Sequence, residues 1–215
     1  MKYLRKFETE ADVNVSIVPN VVLVSDTGKI LYNSFKGVRI QHIDGTLYTA
    51  DEWTAGGFTN DQANGVAVGN GVTKFVIAKE NISDSMIWSS SSETIGGLTG
   101  DAKTDYDGMK HTALIIEKDP LAVAAPECAK YTFPNGKKGY LPAMGELHIA
   151  RAYSVSINAA LSIIGGVGFV DNAYYWSSNE SYMNGSAVLR KWADFNFEYT
   201  GVKSSTRCVR PFTTF

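Results

Sequence analysis

The order in which apolar patterns change along this chain is the tightest constraint on its fold. Short apolar runs separated by glycine, asparagine and aspartate come first. Helical periodicity follows in the middle third, and short apolar runs return to the end. The β-α alternation of a parallel sheet is missing, so the pattern predicts an α+β protein. No period of 20–50 residues repeats, which argues against a solenoid.

Residues 20–33 read as two β runs about an Asp26-Thr27-Gly28 turn, preceded by a polar helical turn at 8–14. An isolated hairpin is marginal in water, so it should dock on the rest of the chain or on another subunit. We therefore divide the chain into an N-terminal arm, residues 1–36, and a domain over 37–215. Strands are predicted at 38–43, 45–49, 66–68 and 74–78. The Ser- and Gly-rich stretch 83–108 predicts a long surface loop. Pro120 and Pro126 limit 111–130 to one or two short helices. Residues 145–164 predict one longer helix, with Leu147, Ala150, Val155, Ile157, Leu161 and Ile164 on its apolar face and Gly165-Gly166 as its stop. Strands return at 174–178, 187–189, 192–199 and 206–212.

Composition excludes several classes. A chain that is 44% hydrophobic and only 20% charged is too apolar for disorder. Its net charge of −2 is evenly spread, so no basic stripe marks a nucleic-acid partner. Apolar runs fall far short of the roughly 20 residues that cross a bilayer, so no membrane insertion is expected. No apolar segment follows the basic residues at the start, so no secretion signal is read there and synthesis in a cytoplasm is expected.

Catalytic templates fail one by one. No phosphate-cradling glycine loop and no GxSxG elbow is present. The histidines His42, His111 and His148 are scattered, without metal-ligand spacing. Asp51-Glu52 and the Asp105/Asp107 pair read as solvated loop charges, and Glu146 as a helix-start carboxylate facing the helix dipole. Cys128 and Cys208 are either two buried thiols or one disulfide. No catalytic residue, metal or cofactor is predicted, and the chain reads as non-enzymatic.

Three motifs occur together: Lys137 to Leu147 (KKGYLPAMGEL), Tyr175 to Glu180 (YWSSNE) and Arg207 to Phe212 (RCVRPF). In this order they resemble the C-type-lectin-fold domains grouped as DUF1566 and the fibrobacter-type major paralogous families. The superfamily also holds the formylglycine-generating enzyme and the variable proteins of diversity-generating retroelements. The arm is similar to openings of structural proteins from phages of gut Bacteroidales. The resemblance implies a C-type lectin-like fold of short twisted antiparallel sheets and two helices. It implies a buried Trp176 at a strand crossing, Arg210 in a final strand that closes the domain, and Cys128 near Cys208. The calcium-binding triplets of sugar-binding lectins are absent, and so is the cysteine pair of the oxidase.

The variable residues of retroelement-diversified relatives occupy the stretch matching 179–206. Tyrosine, serine and asparagine are enriched there, a blend suited to binding loops. The candidate ligand-binding residues are Asn179, Glu180, Ser181, Tyr182, Asn184, Ser186, Arg190, Trp192, Asp194, Asn196, Glu198, Lys203 and Ser204. Strand alternation over 192–199 puts Trp192, Asp194, Asn196 and Glu198 on the candidate surface, and Ala193, Phe195, Phe197 and Tyr199 in the core. The implied function is a receptor-binding module on a phage virion, contacting a bacterial surface protein or glycan. It would work beside other virion proteins, as a homo-oligomer such as a trimer. The alternatives are a capsid or tail decoration protein and a bacterial cell-surface adhesin.

Overall fold

A computed structural model describes residues 23–24, 30–32, 35–98, 101–194 and 198–215. The 8–14 turn, the Asp26-Thr27-Gly28 turn, Phe195, Asn196 and Phe197 lie outside the described residues. In the arm, β1 (Leu23–Val24) pairs antiparallel with β2 (Ile30–Tyr32), as the hairpin pattern predicts.

The architecture is mixed α+β, with two five-stranded sheets and five α-helices among the described residues in place of the two helices implied. One sheet is antiparallel. It is built from β3 (Lys36–His42), β4 (Leu47–Tyr48), β5 (Ala63–Asn70), β6 (Lys74–Ile77) and β12 (Phe212–Thr213), in the order β12-β6-β5-β3-β4. The other runs β10-β9-β8-β11-β7, from β7 (Ser83–Ile87), β8 (Tyr174–Glu180), β9 (Ser186–Lys191), β10 (Tyr199–Val202) and β11 (Thr206–Val209). Its β8–β11 pair is parallel and the rest are antiparallel. The chain's end links the sheets, because β11 lies inside one and β12 edges the other. Between them Arg210 is buried, its Nε donating to Asn81 Oδ1 at 2.6 Å and its guanidinium 4.3 Å from the Phe169 ring centroid.

Helix α1 (Ala50–Ala55) was not foreseen. Thr49 Oγ1 accepts the Glu52 N–H at 3.1 Å and Glu52 Oε2 accepts the Thr49 N–H at 2.7 Å, a reciprocal capping box. Asp51 and Glu52 are thus first-turn helix residues rather than loop charges. Helices α2 (Gly108–Lys118) and α3 (Ala124–Lys130) are separated at Pro120, whereas Pro126 sits in the first turn of α3, where proline is tolerated.

The longer helix divides. α4 (Met144–Ala152) ends and α5 (Ser154–Ile163) begins about Tyr153, whose φ of −106° and ψ of 16° break the helix. The two halves face different partners. α4 packs against both sheets, while α5 packs on β3 and β5. One straight helix cannot present Leu147 and Ala150 to the first set and Ile157 and Leu161 to the second. Val155, placed on the apolar face by periodicity, is 83% exposed. Gly165, with φ of 68°, ends α5 as its sequence predicts.

The stretch 83–108 is not a surface loop throughout. Trp88 is buried, its indole N–H donating to Ser177 O at 2.8 Å, and β7 pairs with β11. The apolar Met86-Ile87-Trp88 run is the signal that the flanking serines obscured. Trp176 is buried as expected, its indole N–H bonded to Met86 O at 2.9 Å. Cys128 and Cys208 are both free and buried, and they belong to different apolar clusters.

Candidate functional site

The polar stretch following Trp176 does not form one face. β8 carries Asn179 and Glu180 inward, so both are buried, and Ser181 is buried beside them. Asn179 Oδ1 accepts the Met144 N–H at 2.8 Å, satisfying one of the open donors at the start of α4. Glu180 accepts the backbone N–H groups of Ile95, at 3.0 Å, and Gly96, at 3.2 Å. Lys203 completes the arrangement. Its Nζ lies 2.5 Å from Glu180 Oε1, donates to Glu93 O at 2.6 Å and sits 4.6 Å from the Trp88 ring centroid. One buried ion pair therefore fastens three loops: 90–96, 181–185 and 203–205.

Those loops also bond to one another. Lys203 N–H donates to Gly185 O at 2.9 Å, and Thr94 Oγ1 donates to Asn184 Oδ1 at 3.2 Å. Gly185 takes a φ of 68° and its α-hydrogen side faces Ser92, which lets the turn close tightly. Outward from this base stand Tyr182, 88% exposed, and Val202, 57% exposed, with Met183, Asn184 and Ser204 also exposed and Ser186 half-buried. An exposed tyrosine on a pinned loop offers large contact area at low entropic cost.

The remaining candidates lie toward the other end of β9, a strand roughly 17 Å long at 3.3 Å per residue. Trp192 and Ala193 form a turn instead of a strand, and Trp192 is fully buried. Its ring stacks on Phe169 with centroids 3.8 Å apart and planes 7° apart. Trp192 is therefore a core residue, a correction to the surface placement that strand alternation gave it. Arg190 is also buried, with Nη2 donating to Asp194 O at 2.5 Å and Nη1 at 3.1 Å from His148 Nδ1. Asp194 accepts the Tyr199 hydroxyl, and half-buried Glu198 has its pKa raised by burial. These four lie in the fold's interior or at its margin. Tyr182, Asn184, Ser186 and Ser204 form the platform, with Asn179, Glu180, Ser181 and Lys203 beneath it.

A second feature escaped sequence reasoning. On the far side of segment 93–98 lies a cleft of about 510 Å³ between the 101–107 segment and the first turns of α2. His111 forms part of its wall, with Nε2 3.4 Å from Asp105 Oδ2 and Nδ1 3.2 Å from Ser178 Oγ. The set resembles a hydrolytic triad in composition, but its order is inverted. Ser178 is fully buried behind the imidazole, while Asp105 stands at the cleft. A substrate in the cleft would meet the carboxylate and never the hydroxyl, so this geometry does not present a serine nucleophile. Below it, Glu146 is buried and accepts the Tyr140 hydroxyl at 2.6 Å and the Ala143 N–H at 2.8 Å. Burial pushes its pKa up to about 8 despite those two donors.

Among the described residues no group of three or more His, Cys, Asp or Glu side chains is placed to hold a metal ion, and no helix is long and apolar enough to cross a membrane. No family model, curated protein or solved structure matches the chain.

Proposed function

We propose that this chain is a non-enzymatic binding module of C-type lectin-like architecture, displayed on a phage virion, that contacts a bacterial surface ligand through the Tyr182 platform. The observation that carries the reading is an exposed aromatic and aliphatic set, Tyr182 and Met183 on the β8–β9 loop and Val202 at the end of β10, fastened from beneath by the buried Glu180–Lys203 pair. A buried ion pair under this set fixes loop geometry before any ligand arrives. Preorganisation of that kind is what a recognition surface needs. Buried Trp176, the paired Ser177 and Ser178 and the returning C-terminal strands support the lectin-like reading of the fold. Repeated copies on a particle would raise a modest single-site affinity through avidity.

The test is adsorption of purified, fluorescently labelled protein to cell envelopes from a panel of gut Bacteroidales. Saturable binding to some strains, blocked by excess unlabelled protein, is expected. Absence of saturable binding across the panel would contradict the reading.

A further inference from the structure

Four asparagine–glycine pairs occur in the sequence: Asn64-Gly65, Asn70-Gly71, Asn135-Gly136 and Asn184-Gly185. Glycine has no side chain to shield its peptide nitrogen, so that nitrogen can approach Cγ of the preceding asparagine. Reaction then depends on how the fold uses two groups, the glycine N–H and the asparagine amide.

Three of the pairs are held. Gly71 N–H donates to Phe35 O at 3.1 Å, and Asn70 Oδ1 accepts the N–H groups of Val72 at 2.9 Å and Thr73 at 2.8 Å. Gly136 N–H donates to Phe133 O at 2.8 Å, and Asn135 Oδ1 accepts the Lys137 N–H at 3.0 Å. Asn64 is buried in β5, with Nδ2 donating to Gln41 Oε1 at 2.6 Å and Oδ1 accepting the Asn135 N–H at 3.0 Å. Each of these pairs must break its bonds, by local opening, before Cγ can meet the following nitrogen.

Asn184-Gly185 differs on both counts. Asn184 is exposed, and the Gly185 N–H makes no hydrogen bond among the described residues. The turn is still anchored around that nitrogen, since Gly185 O accepts the Lys203 N–H at 2.9 Å and the Ser186 N–H donates to Met183 O at 3.2 Å. Thr94 Oγ1 donates to Asn184 Oδ1 at 3.2 Å. That contact favours reaction, because negative charge develops on Oδ1 when Cγ is attacked.

We propose that Asn184 is a site of spontaneous modification, cyclising with Gly185 to a succinimide that water opens to aspartate or isoaspartate. Hydroxide removes the Gly185 amide proton, and the nitrogen forms a bond to Asn184 Cγ. The Cγ–Nδ2 bond breaks, and ammonia leaves with a proton taken from water, which regenerates hydroxide. A second water cleaves either ring C–N bond: at Cγ it yields aspartate, and at the main-chain carbonyl it yields isoaspartate. Either product places a carboxylate on the platform, two residues from Tyr182. The chemistry needs no ligand, so it is independent of what the platform binds.

The test incubates the full native chain in mildly alkaline buffer, beside a sample unfolded in guanidinium chloride. Mass spectrometry follows the four Asn-Gly peptides, with isoaspartate told from aspartate by electron-transfer fragmentation. Each pair's native rate is divided by its own unfolded rate, which removes the influence of flanking residues. Asn184 should keep at least a tenth of its unfolded rate, with both products formed. Its ratio should exceed those of Asn64, Asn70 and Asn135 at least tenfold. A smaller ratio at Asn184, or any other pair within tenfold of it, would overturn the proposal.

Discussion

Glu180 in β8 and Lys203 in the β10–β11 turn form an ion pair, each side chain only 1% exposed, beneath Tyr182, the most exposed tyrosine among the described residues. Desolvation of two charges is costly, and this pair offsets it with backbone donors on the carboxylate and a carbonyl on the ammonium. Removing one partner strands the other. Lys203→Met should destabilise the protein by about 3–5 kcal/mol. The Glu180→Gln/Lys203→Met double variant should recover much of that loss. Urea unfolding of the three proteins measures both effects.

Trp192 and Tyr182 separate the core from the platform. Trp192→Ala leaves a cavity against Phe169 and Tyr175 and should cost about 3–5 kcal/mol. Tyr182→Ala removes an exposed side chain and should change stability by no more than about 0.5 kcal/mol. Thermal unfolding of both variants distinguishes the two environments.

Glu146 makes stability depend on pH in an unusual direction. The unfolded carboxyl loses its proton near 4.5, but the folded one holds it to about 8. Between those values the native state binds more protons, so the stability due to this group falls as pH rises. Glu146→Gln should flatten the fall, because its amide can donate to the Tyr140 oxygen while its carbonyl accepts the Ala143 N–H. Urea midpoints compared at about pH 5 and about pH 8 for native protein and Glu146→Gln provide the check.

Both thiols should be inert in the folded protein. Burial raises Cys128 well above the usual thiol value and lifts Cys208 to about 11, so little of either is thiolate near neutrality. A thiol-reactive dye should label neither in the native state and both after denaturation. Absence of labelling in denaturant without reductant would reveal a disulfide instead.

The α+β class and the β1–β2 pairing were legible because each rests on local pattern, the order of runs and two β runs about a turn, whereas the burial of Trp176 was implied only by the family resemblance. The break at Tyr153 was not legible, since α4 and α5 together satisfy one helical periodicity and only their different partners part them. Trp192 misled for a related reason. Alternation assigns faces only within a strand, and Trp192 sits in a turn where Phe169, distant in sequence, covers it. Within the site, Tyr182 could be picked from its polar neighbours. The Glu180–Lys203 pair joins residues 23 positions apart and leaves no local signal, while Asp105 and His111, close in sequence, meet only because the chain turns into α2 between them.

The most direct measurement compares adsorption of the native chain and the Tyr182→Ala/Met183→Ala variant to a bacterial envelope that the native chain binds. Both residues are exposed, so the fold should be retained and any change reports on contact. At least a tenfold loss of envelope affinity is expected, with an unchanged unfolding midpoint. Undiminished adsorption by a folded variant would contradict it.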